Sequence, residues 1–108
     1  MIINGRQVVL KPEFDEMLDE MLEWFISQGN EQFAKQFVRG LYNDIVHKIA
    51  PPRPESHSEY AWKQTPQRLY RRYVFRKKYH VMYKVLPQKL EFLAIVYSRR
   101  DFSKIPIE

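Results

Sequence analysis

The side chains able to do chemistry crowd into one stretch of this 108-residue chain. Across residues 70–101, arginines, lysines and aromatic residues interleave, and residues 68–84 hold seven cations and no acid. Residues 63–108 carry 12 basic and 3 acidic side chains, whereas residues 1–62 carry 6 basic and 10 acidic. Such a field attracts phosphate polymers or acidic protein surfaces and speeds their encounter. Arg71, Arg72, Arg76 and Lys84, with Arg99 and Arg100 after the last apolar run, are therefore the candidate target-binding residues. Trp62, with Lys63 and Arg68, could stack on a base and meet phosphate, although a tryptophan in a loop also commonly pins that loop to the core. The sequence has no cysteine, which excludes disulfides and thiolate chemistry. It shows no metal-ligand cluster, glycine-rich phosphate loop or nucleophile motif, so no metal and no cofactor is expected.

The elements that must position these residues follow from periodicity. Tyr79, Val81, Tyr83 and Val85 recur at every second position, with His80, Met82 and Lys84 between them, the period of a half-buried strand. Leu90 to Tyr97 is apolar at almost every position, as in a central strand. Tyr73, Val74 and Phe75 sit in a third run, 70–76. The breaks at 76–78 and 87–89 are short enough to join antiparallel neighbours, so the three runs make a meander. Upstream, Arg6 to Lys11 reads as an edge strand ended by Pro12, which suits the first turn of a helix. Phe14, Met17, Leu18, Met21, Leu22 and Phe25 mark one face of a helix over 13–28. Phe33, Phe37, Leu41 and Ile45 mark a second helix that reaches about Ile49. Gly29 and Asn30 between them suit a C-terminal cap and an N-cap, and so tight a link makes an αα-hairpin. His47, near the end of the second helix, reads as a capping or surface residue. Residues 50–69, with Pro51, Pro52, Pro54 and Pro66, read as a loop, and the tail 102–108 is too short for another element.

The expected fold class is α+β: an N-terminal edge strand and αα-hairpin packed on an antiparallel β-meander, in a single domain spanning 1–108. A chain of this length buries about two-thirds of its unfolded surface without staples. No apolar run approaches the roughly 18 residues that cross a bilayer, and the start lacks a signal-peptide pattern. A cytoplasmic protein without membrane contact is the default expectation.

The order strand, helix, helix, meander, with Arg72, Tyr79-x-Val81-x-Tyr83 and Leu93-x-Ile95-x-Tyr97-x-Arg99-Arg100-Asp101 on its last strands, resembles the RelE/ParE superfamily of bacterial toxins, the plasmid-stabilisation type of toxin–antitoxin systems. The resemblance spans nearly the whole chain. It implies growth inhibition by one of two routes, ParE-like blocking of DNA gyrase or RelE-like cleavage of mRNA in the ribosome, and a cognate antitoxin protein that wraps the toxin. For the ribonuclease route it implies His80, Arg100 and Tyr97 as catalytic residues. His80 stands where relatives often have arginine, Arg100 where they contact the scissile phosphate, and Tyr97 where many ParE-like members have histidine. The tyrosine-containing C-terminal ending of the ribonucleases has no counterpart in 102–108. The gyrase route needs only a basic contact surface, and a basic binding module that has lost both activities is a third reading.

Overall fold

A computed structural model describes residues 1–51 and 53–98. Arg99, Arg100 and the tail 102–108 lie outside the described residues. Among those described, the strands form one six-stranded sheet, and the hairpin of α1 (Pro12–Ser27) and α2 (Glu31–Asp44) packs on one face of it.

The centre of the sheet is the expected meander. Strands β4 (Leu69–Phe75), β5 (Tyr79–Val85) and β6 (Lys89–Tyr97) pair antiparallel in sequence order. The N-terminal strand β2 (Arg6–Leu10) lies parallel to β6, with Gln7 opposite Lys89 and Leu10 opposite Phe92. The outermost position beyond it belongs to β1 (Ile2–Ile3), which pairs antiparallel with β2. Asn4 and Gly5 turn between them with positive φ at both residues, the requirement of a two-residue hairpin and the reason Asn-Gly serves there.

The hairpin of helices is closed by backbone chemistry. Gly29 takes φ +80°, its N–H donates to the Ile26 carbonyl, and the Asn30 N–H donates to the Phe25 carbonyl. This is a Schellman motif, which satisfies carbonyls left over at the end of α1. Asn30 holds the N-cap position of α2, but its side chain makes no capping bond. At the other end α2 widens into one π turn, Ile45–Ile49, where the Ala50 N–H reaches back five residues to the Ile45 carbonyl. The wider turn buries Ile45 and Ile49 together and leaves His47 exposed.

Phe37 of α2 is the centre of the core. Its ring meets Phe25 at 5.3 Å, Phe75 at 5.2 Å and Tyr79 at 4.8 Å, so it joins both helices to both strands of the β4–β5 hairpin. The edge-on geometry against Phe75 and Tyr79 suits the ring quadrupoles. Arg76 and Lys77, in the turn of that hairpin, both take positive φ without being glycine, which costs on the order of 1–2 kcal/mol per residue. Arg76 offsets its share by laying its guanidinium over Phe33, Phe37 and Phe75 and donating to the Gln36 carbonyl. Gly40 gives it room, because a Cβ there would stand 3.2 Å from the guanidinium and 3.3 Å from the Phe75 ring.

The proline-rich connection is more ordered than its composition suggests. Tyr83 Oη donates to the Pro54 carbonyl at 2.6 Å, Arg71 Nε donates to the Glu55 carbonyl at 2.8 Å, and Arg6 pairs with the Glu55 carboxylate. The two-residue strand β3 (Ser58–Glu59) then pairs with Arg72 and Arg71 of β4. Burial raises the pKa of the Tyr83 phenol, so this clasp stays intact at neutral pH.

Because Phe37 is fully buried among the rings of Phe25, Phe75 and Tyr79, Phe37→Ala is expected to lower stability by about 3–5 kcal/mol. Trp24→Ala, on an exposed side of α1, is expected to cost under about 1 kcal/mol. Urea denaturation of the two variants beside wild type measures both; equal losses would remove Phe37 from the centre of the core.

Candidate functional site

Side chains alternate along a strand, so register decides which of them can act together. Tyr79 lies opposite Tyr97, and His80 lies opposite Val96. The Tyr79 ring touches Phe37 of α2 and, at 5.6 Å, Tyr97, which places Tyr97 on the helix face of the sheet. His80 shares the opposite face with Met82 and Val96. The structure therefore does not bring His80 and Tyr97 together: they project from opposite sides of the sheet. Arg100, the third member of that set, lies outside the described residues, as does Arg99.

The remaining basic candidates divide in the same way. Arg71, opposite Tyr83, turns to the helix face, where it binds the Glu55 and Tyr70 carbonyls. Its guanidinium is engaged in holding the connection rather than facing a target. Arg76 sits over the aromatic core at the hairpin turn, with its outer side exposed. Arg72 lies on the far face, diagonal to His80. Burial first, and the Arg72 charge second, lower the His80 pKa from 6.5, so the imidazole is neutral at pH 7.

Lys84 requires a correction. Read as an outward residue of a half-buried strand, it is only 8% exposed and forms a 3.0 Å ion pair with Glu91, its cross-strand partner. The far face at β5 is buried too: Tyr70, Met82, Leu93, Ala94 and Val96 form a second apolar layer against which Tyr60 packs. Lys84 is thus a structural cation and not a surface one. Trp62 touches the edge of the Tyr70 ring at 6.3 Å and Arg68 lies over that ring, so the loop is pinned there while Trp62 keeps an exposed side.

Sequence reasoning missed a feature on the helix face. Trp24, Phe25, Tyr79 and Tyr97 line a cleft of about 300 Å³ beside the β4–β5 turn. Trp24 is 60% exposed and Tyr97 39%. The available signal was Trp24 itself, a large aromatic residue standing outside the apolar stripe of α1. Elsewhere Tyr73 Oη donates to Asp44 at 2.7 Å; burial, then that bond, push its pKa up to about 12. The Asp44 carboxylate also faces Lys48, and His57 Nε2 meets the Lys48 carbonyl, so this cluster ties α2 to the sheet and the connection. Among the described residues no group of acids and histidines is placed to hold a metal ion, and no helix is long and apolar enough to cross a membrane.

No family model and no curated protein matches the chain. A solved structure does. A chain of the chromosomal ParDE TA system from P. aeruginosa superposes with a TM-score of 0.65, covering 87% of this chain and 97% of that one, at 8% sequence identity. The fold is ParE-like. Helix hairpin and sheet agree with the architecture expected from periodicity, and identity this low carries the fold and not the activity.

Two outcomes test this geometry. Lys84→Met or Glu91→Leu alone breaks a buried ion pair and is expected to cost about 3–5 kcal/mol, whereas the double variant recovers most of that loss; additive losses in urea denaturation would show that the pair is not coupled. For His80, the folded protein binds fewer protons than the unfolded chain between the lowered pKa and 6.5. Stability therefore rises with pH across that window and falls on acidification through it. His80→Gln should flatten this part of the profile, and an NMR titration of His80 should give a midpoint below 6.5.

Proposed function

We propose that this chain is the toxin of a toxin–antitoxin pair, acting ParE-like by binding an essential macromolecule, DNA gyrase, and held inactive by a cognate antitoxin protein. The fold shared with a ParDE-system chain supports the pairing. The observation that carries binding over cleavage is the strand register. Cleaving RNA through its own 2′-hydroxyl needs a base, an acid and cations around one phosphate, and His80 and Tyr97 stand on opposite faces. A binder needs no such convergence. It needs an accessible basic surface, which Arg76, Lys77 and Lys78 supply at the β4–β5 turn, with Arg99 and Arg100 as further contacts on sequence grounds.

One observation favours a second reading, a ribosome-dependent mRNA endoribonuclease. His80 is held neutral beside the Arg72 cation on one face, which suits a base next to a phosphate-binding group. In this reading Arg72 supplies a cation beside the phosphate, and Arg100 remains a contact to the scissile phosphate on sequence grounds.

The deciding experiment expresses wild type, His80→Ala and Arg100→Ala under tight control in bacteria. It then follows growth, DNA supercoiling by purified gyrase, and ribosome-bound message by primer extension. Growth arrest with inhibited supercoiling, intact message and an unimpaired His80→Ala is the expected result, and co-expressed antitoxin should relieve the arrest. Message cleavage that falls by about 10²-fold or more in His80→Ala would move the chain to the ribonuclease route. No arrest with either target would leave only the basic binding module.

A further inference from the structure

The aromatic cleft is built as a receptor. Its floor is rigid, because Phe25 and Tyr79 both pack on Phe37. Its rim is open, formed by the exposed Trp24 and Tyr97. A space of about 300 Å³ between four aromatic rings accepts one ring or one branched aliphatic side chain, and the edges and faces of the rings offer the contacts such a group prefers.

Charge around the cleft selects what carries that side chain. The β4–β5 turn lies at the Tyr79–Tyr97 end, fixed there because the Ser98 N–H donates to the Lys78 carbonyl at 2.7 Å and the Lys78 N–H to the Phe75 carbonyl. Arg76, Lys77 and Lys78 thereby present three exposed cations beside the opening. Among the described residues, no carboxylate forms an ion pair with Lys77 or Lys78. The Trp24 wall has the opposite sign: the exposed Glu20, four residues earlier, shares its side of α1. A polyanion with phosphates on both sides of an inserted base would be repelled at that wall. A protein segment with its charge on one side only would not.

We infer that this cleft docks an acidic protein segment, which inserts one aromatic or large aliphatic side chain between Trp24, Phe25, Tyr79 and Tyr97 and lays its carboxylates on the Arg76–Lys77–Lys78 turn. The inference goes beyond the toxin reading and does not depend on it. Antitoxin relief of growth arrest tests that reading, and peptide binding tests this one.

The test uses the full-length chain with Trp62→Phe, so that Trp24 is the single fluorescent indole. The probes are acetylated, tryptophan-free peptides: a phenylalanine followed by glutamates, the same peptide with serine for phenylalanine, and the same peptide with lysines for glutamates. Oligo(dT) is the competing polyanion. The Phe–Glu peptide should give a saturable blue shift of Trp24 emission, with binding on the order of tenfold weaker for the serine and lysine versions. Lys77→Glu with Lys78→Glu should erase the preference for glutamates. In unsubstituted protein, NMR should show the same peptide shifting the Tyr97 and Lys78 amides, a readout free of any folding defect. No saturable response up to about 1 mM peptide, equal binding of the lysine version, or tighter binding of oligo(dT) at Trp24 would overturn the inference.

Discussion

The far face of the sheet depends on one additional residue in β6. Along the first part of the β5–β6 ladder, Met82 lies opposite Ala94; past the bulge, Tyr83 lies opposite Phe92, so that Leu93 is the extra residue. Continued without that step, the ladder would set Lys84 against Phe92, an ammonium against a ring that belongs to the core on the other face. With it, Lys84 meets Glu91 at 3.0 Å. A bulge is usually noticed for the bend it introduces. Here it reconciles two layers: Val81, Tyr83 and Phe92 stay under the helices, while Met82, Leu93 and Ala94 fill the other side.

The helix face follows a different logic, in which aromatic rings replace charge pairing. Phe37 gathers both helices and the β4–β5 hairpin, and the Arg76 guanidinium closes the cluster from outside. This arrangement lets two residues without glycine's freedom hold a left-handed turn, and it fixes a row of cations against an aromatic opening. Binding surfaces need such fixed geometry, because ordering loose side chains on contact consumes affinity. Packing that stabilises the fold and geometry that would receive a partner are the same contacts viewed from inside and outside.

Much of the architecture was legible in the sequence because its signals are local. The three-and-four spacing around Phe37, the left-handed Gly29 and the two-residue alternation from Tyr79 to Val85 each act within a few neighbours. What was not legible is held over distance or by groups every residue possesses. Lys84 reads as a solvated letter until Glu91 is known to face it, and that pairing exists only after the bulge is counted. The proline-rich connection is ordered through the carbonyls of Pro54 and Glu55, which composition cannot distinguish from any others. The division of His80 from Tyr97 is a matter of register, and spacing within each strand does not reveal register between strands.

The parallel pairing of β2 with β6 carries a consequence for biosynthesis. Gln7 leaves the ribosome about 80 residues ahead of its partner Lys89, an interval of several seconds at roughly 5–20 residues per second. During that time the apolar stripe of the acidic helical hairpin has no sheet to cover it. Closing so long a loop is also entropically slow. The nascent chain therefore passes through a stage in which Phe14, Phe25 and Phe37 are open to chaperones or to aggregation. The sheet, and with it every surface that register creates, comes into being only after β6 has been made.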